Sequence, residues 1–91
     1  MGKVRVGIVG SRFAAGLHAR AYARCQGAEV VAVAAPDNLN EFADEYSIPK
    51  RYLDYKQMLA QEQLDLVSIC VPNFLHYPVA MDCAEAGVNA I

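Results

Sequence analysis

The turn that follows the first apolar run restricts this chain more than any other feature. Val4-Arg5-Val6-Gly7-Ile8-Val9 is β-branched and nearly continuous, as expected of a strand covered on both faces. It stops at Gly10, and from about Arg12 to Gln26 the residues are good helix formers, with Gly27 as the C-terminal stop. Phe13, Leu17, Ala21 and Cys25 fall on one i, i+4 stripe, the expected apolar face of that helix. A buried strand entering a helix through a glycine turn must recur, because one such unit cannot bury both faces of its strand alone.

It does recur. Glu29 to Ala34 reads as a second buried strand, ended by Pro36, and Leu39, Phe42, Ala43 and Tyr46 mark a helix closed by Ser47-Ile48-Pro49. A short extended piece around Arg51-Tyr52 precedes a helix near Tyr55 to Gln61, with Met58 and Leu59 inward. Leu64 to Val71 is the clearest strand, cut off by Pro72. Ala80 to Ala86 is helical, entered through Pro78, which a first helical turn tolerates, and ended by Gly87. Val88 to Ile91 begins another strand. This alternation predicts a doubly wound parallel α/β sheet in three layers, α/β/α, with right-handed crossovers. The first strand should lie centrally, the second and third on one side and Leu64–Val71 on the other, with a ligand crevice at the C-terminal ends of the central strands.

Composition narrows the class. Ninety-one residues make one small domain, and 55% hydrophobic against 20% charged is a folding composition. A net charge of −2 gives no reason to expect nucleic acid or an anionic membrane as partner. Apolar runs reach only about five residues against the roughly 20 that span a bilayer. The N-terminus has neither the apolar core of a signal peptide nor a myristoylation context. Three widely separated cysteines, Cys25, Cys70 and Cys83, without a C-x-x-C pair, suggest reduced, mostly buried thiols of a cytoplasmic protein and no metal site. Charge is uneven: residues 1–28 hold five bases and no acid, residues 29–91 three bases and ten acids. The basic segment either decorates a helix surface or faces an anion.

The anion reading has a candidate. Aligned on Gly10, the dinucleotide fingerprint G-x-G-x-x-G/A becomes Gly10-Ser11-Arg12-Phe13-Ala14-Ala15. Gly10 permits the tight turn and Ala15 permits close helix packing, but Arg12 stands at the second glycine. Its side chain either crowds a pyrophosphate or pairs with it at a helix N-terminus that favours anions. At the end of the second strand, Ala35 offers no carboxylate to a ribose. Asp37 comes late, beyond Pro36, and reads either as a ribose ligand or, preferably, as the N-cap of the next helix. Without an acid at Ala35 a 2′-phosphate is permitted, although no neighbouring Arg or Lys in the sequence selects it. After the third long strand, Val71-Pro72-Asn73 and His76 put an amide and an imidazole at the sheet's C-terminal edge.

Together these segments resemble the N-terminal nucleotide-binding domain of the Gfo/Idh/MocA oxidoreductases. The likeness is carried by Val6-Gly7-Ile8-Val9-Gly10 running into a helix with His18, by Phe42 to Pro49, by Asp65 to His76 and by Ala84-Glu85-Ala86-Gly87. It implies a Rossmann-like fold, incomplete at its C-terminal end, with residues 1–91 the N-terminal part of a dinucleotide-binding domain and no second domain. It implies NAD or NADP as cofactor, with a pyrophosphate turn at Gly10, Ser11, Arg12, Phe13 and Ala14 and nicotinamide contacts at Pro72, Asn73 and His76. Gly7, Ala35, Asp37 and Val71 complete the candidate cofactor-binding set, in which no residue is catalytic or metal-binding. The family's Glu-Lys-Pro motif and substrate domain are not in these residues, so the chain alone should lack a complete active site. The full-length protein is expected to be an NAD(P)-dependent oxidoreductase of sugars, polyols or similar molecules, and a homo-oligomer. The competing reading is a non-catalytic nucleotide-binding module. A dihydrodipicolinate-type reductase fits Pro72-Asn73-x-x-His76 less well.

Overall fold

The computed structural model describes residues 2–91. The β-branched runs form β1 (Val4–Val9), β2 (Ala28–Ala34), β3 (Lys50–Tyr52), β4 (Leu66–Ile69) and β5 (Asn89–Ala90), alternating with α1 (Phe13–Ala23), α2 (Leu39–Glu45), α3 (Tyr55–Gln61) and α4 (Asn73–Glu85). The strands make one sheet in the order β3-β2-β1-β4-β5, with every pair parallel. The path moves outward from β1 to β3, then crosses back to β4 on the other side of β1. That reversal sets the crevice between β1 and β4.

Both faces of the sheet are buried, which explains the near-continuous apolar strands. On one face Ile8 and Val33 pack with Ala15 and Ala19 of α1 and Phe42 and Ala43 of α2, closed by Ile48. On the other, Val9, Ala32, Ala34, Val67 and Ile69 pack with Met58 of α3 and Val79 and Cys83 of α4. Fully burying a side chain such as Ile8 or Met58 stabilises by about 1.5–3 kcal/mol. Gly7 contributes by its size: a Cβ there would lie 2.7 Å from Leu64 Cδ1 and 3.1 Å from Met58 Cε.

Three local expectations are revised. The face that α1 buries is Ala15, Gly16 and Ala19, not the Phe13–Leu17–Ala21–Cys25 stripe; Phe13 is 78% and Leu17 47% exposed. Small side chains let the helix lie close to the sheet, whereas Phe13 and Leu17 would hold it away. β4 is shorter than Leu64–Val71, because Asp65 turns back to β1, its carboxylate accepting from Arg5 N at 2.8 Å. Helix α4 begins at Asn73 instead of Ala80, with Pro72 as its N-cap and Pro78 inside it. The proline strands the carbonyl of Phe74, an exposed residue, so water can replace the lost bond.

A polar node joins the two halves. Ser68, fully buried on β4, meets the Tyr22 hydroxyl at 2.6 Å and His18 Nδ1 at 3.0 Å, both from α1. Ser68→Ala should lower the unfolding free energy by about 1–3 kcal/mol, read from the urea midpoint, because it leaves two partly buried polar groups without their shared partner. Gly10 has φ +121°, and a Cβ would fall 2.2 Å from the Cys70 carbonyl oxygen. Gly10→Ala should therefore cost about 3 kcal/mol or more, while Gly27→Ala, whose Cβ meets nothing within 4 Å, should change the same midpoint little.

Candidate dinucleotide site

Helix α1 starts immediately beyond β1 and α4 immediately beyond β4, so both N-termini stand at the same edge of the sheet. Neither has a side-chain cap among the described residues, unlike α3, where Asp54 accepts from Lys56 N at 2.8 Å. Leu75 N–H of α4 donates to Pro72 O at 2.9 Å, while the other opening N–H groups of α1 and α4 are available to an acceptor and carry the positive end of each helix dipole. On the face that carries α3 and α4 lies a cavity of about 420 Å³ at the strand ends, walled by Val9, Gly10, Ala34, Ala35, Pro36, Leu53, Asp54, Tyr55, Val71, Leu75, Pro78 and Val79. Its size is within the range of small-molecule sites and its wall is mostly apolar, as a planar heterocycle requires.

Gly10 holds the two strand ends together. Its N–H donates to Ala34 O at 2.9 Å, while Cys70 N–H donates to Val9 O at 2.8 Å. The missing Cβ of Gly10 makes room for the Cys70 carbonyl and so brings the ends of β1 and β4 together, and Gly10, small Ala35 and Val71 then share one wall of the cavity, open enough for a dinucleotide. The residues present thus fit a dinucleotide.

The candidate residues fall into four groups. Gly10, Ala35 and Val71 line the cavity together. Ser11, Arg12 and Phe13 line a neighbouring cleft of about 280 Å³ with Asn38, between α1 and α2, and Asp37 joins this group through its bonds. Ala14, Pro72, Asn73 and His76 are exposed on the first turns of α1 and α4, outside the cavity wall. Gly7 lies inside the sheet, where its smallness serves Met58 and Leu64. Leu53, Asp54, Tyr55 and Leu75 were not legible from motifs. The only signal for Leu53 is an apolar residue in the loop at the C-terminal end of a strand, and it stays exposed.

Asp37 does not cap α2. The residue before that helix is Asn38, in the left-handed region at φ 54°, with no side-chain cap. Instead the Asp37 carboxylate pairs with Arg12 Nη2 at 2.8 Å. Ser11 Oγ donates to Asp37 O at 2.8 Å and Asn38 Nδ2 donates to Ser11 O at 3.0 Å, clasping the two turns. Arg5 likewise bonds Gln63 O and lies 3.5 Å from Glu62, and Arg20 donates to the Tyr46 hydroxyl at 2.8 Å. Three of the five N-terminal bases thus engage groups of the later segment.

A parallel sheet with a glycine turn at its reversal point, two uncapped helix N-termini at the same sheet edge and an apolar crevice at the strand ends defines a nucleotide-binding α/β domain. The chain belongs to the Gfo/Idh/MocA oxidoreductase family, NAD-binding Rossmann fold, whose model matches residues 4–91. It is 34% identical over 86 residues to D-apiose dehydrogenase of Paraburkholderia graminis, which covers 92% of this chain and 23% of that protein. Over 65 residues it is 35% identical to D-xylose 1-dehydrogenase (NADP(+)) 2 of Haloferax volcanii, covering 69% of this chain and 20% of that one. An NAD-binding oxidoreductase from Klebsiella pneumoniae superposes with a TM-score of 0.89 at 29% identity, over 98% of this chain and 26% of its own. The chain spans about a fifth to a quarter of the relatives it matches.

Several acids around the site resist ionisation. Tyr55 donates to Asp82 of α4, and that bond, with burial second, pushes its hydroxyl up to about 12. Tyr52 is raised by its bond to Glu62 and then by burial. Burial lifts Cys70 to about 11 and raises Cys83, with Asp82 adding to the latter. Cys83 is buried and Cys70 half-buried, but Cys25 is exposed, contrary to the expectation of mostly buried thiols, because it follows the last turn of α1. In the folded state the raised groups keep protons that the unfolded chain releases from its ordinary values of 9.0 and 10.0. Their stabilisation is therefore complete below pH 9 and lost as pH rises through the folded values. Urea midpoints should hold up to pH 9 and fall progressively toward pH 12; a midpoint rising over that interval would contradict the assignment.

Proposed function

We propose that this chain is the cofactor-holding part of an NAD(P)-dependent oxidoreductase acting on a sugar, polyol or similar hydroxyl- or carbonyl-bearing small molecule. The single observation that carries the reading is the crevice at the β1–β4 reversal, where Gly10 forms part of the wall and leads into the uncapped start of α1. Family membership supports the dinucleotide, and relatives named as D-apiose and D-xylose dehydrogenases support the substrate class. When bound, the nicotinamide supplies the hydride acceptor or donor.

The chain's own residues bind and orient. The first N–H groups of α1 face the phosphates, at the end of the tight turn that Gly10 makes. Ala35 and Leu53 make the wall for the adenosine end, and Val71 and Leu75 the wall for the other ring. Pro72, Asn73 and His76 form the rim at the start of α4. We assign the proton-transfer groups, the substrate pocket and any oligomer interface to parts of the protein beyond these 91 residues, and its location to the cytoplasm. No helix among the described residues is long and apolar enough to cross a membrane.

Titration of the chain into NADH or NADPH should raise and blue-shift cofactor fluorescence, with ADP-ribose competing for the same site. Turnover of D-apiose or D-xylose should be undetectable with the 91 residues alone. Absence of any fluorescence change or competition at millimolar ligand would overturn the dinucleotide reading.

A further inference from the structure

The sequence offers no base beside Ala35, yet the folded chain supplies one. Arg12, 25 positions before Asp37, is drawn to the end of β2 by a 2.8 Å bond to that residue's carboxylate. In dinucleotide-binding sheets this strand end reads the adenosine ribose: a carboxylate there receives the 2′-hydroxyl, and a nearby arginine accommodates a 2′-phosphate. Here the strand-end position is the uncharged, buried Ala35, and the guanidinium lies across the turn that follows it. We infer that Arg12 is the specificity-determining residue for the 2′-phosphate and that Asp37 positions it, so the site favours NADP over NAD. This rests on the dinucleotide reading of the crevice.

Two competing effects set the outcome. Asp37 neutralises Arg12 and repels a phosphate, but Arg12 is 71% and Asp37 62% exposed, so their pairing is weak and screened. A phosphate dianion offers more charge and several acceptor oxygens to a planar guanidinium, and it prevails over a single exposed carboxylate. The clasp through Ser11 and Asn38 keeps the turn that carries Asp37 against the turn that carries Arg12, and so presents the side chain toward the ribose end. A 2′-hydroxyl has no charge to offer Arg12, so NAD gains nothing equivalent.

The test is a set of NADH and NADPH fluorescence titrations at one ionic strength on the chain and its Arg12→Ala, Arg12→Lys and Asp37→Asn variants. The unsubstituted chain should bind NADPH about tenfold more tightly than NADH. Arg12→Ala should weaken NADPH by about tenfold and NADH by less than about twofold, as expected for loss of a charge-assisted bond made only to the phosphate. Arg12→Lys should recover part of the NADPH affinity, and Asp37→Asn should tighten NADPH alone. Equal weakening of both cofactors by Arg12→Ala would move Arg12 to the pyrophosphate and overturn the inference while leaving the dinucleotide site intact. Unchanged affinities in that variant, or an NADH preference in the unsubstituted chain, would also overturn it. If neither cofactor binds the unsubstituted chain, the dinucleotide reading fails and the inference with it.

Discussion

Everything at the functional edge depends on how closely the end of β1 approaches the end of β4. At Gly10 the space where a Cβ would stand is taken by the Cys70 carbonyl, and hydrogen bonds to Ala34 and from Cys70 fix β1 between both neighbours. Because the chain path reverses at this point, the helices that leave β1 and β4 diverge to opposite faces and open a crevice between them. A larger residue would separate the strands, and with them the stretches of cavity wall at Gly10 and Val71.

The layers on either side obey a different constraint. A central strand buried on both faces needs helices that come close, and α1 achieves this with Ala15, Gly16 and Ala19 while its largest apolar residues face outward. Gly16 also admits the Tyr46 hydroxyl, which would lie 2.9 Å from a Cβ there. On the opposite face Met58 fills the space over Gly7. Between α1 and β4 the contact is polar instead, with Ser68, Tyr22 and His18 satisfying one another.

Electrostatics links sequence segments of opposite sign. The bases of residues 1–28 meet partners of the later segment at Glu62, Asp37 and Tyr46, so the uneven charge along the chain becomes cross-links between turns and helices. An exposed ion pair such as Arg12–Asp37 contributes about 1 kcal/mol or less. Its value lies in placement: the Arg12–Asp37 pair puts a cation at the end of β2 without anchoring it so firmly that an anion could not take it.

The sequence by itself determined the alternation of strands and helices, the strand order and the crevice at Gly10, because burial on both faces and glycine turns leave strong local signatures. It also carried the family likeness through Gly10, Asp65–His76 and Ala84–Gly87. The start of α4, the face that α1 buries and the partner of Asp37 were not local properties. Pro78 reads as a helix entry until solvent exposure at Phe74 permits a proline within the helix, and Phe13 and Leu17 read as core until the sheet admits only small residues. Tertiary structure alone brought Arg12 to Asp37 and Ser68 to His18, since residues 25 and 50 positions apart meet only when parallel strands align their ends.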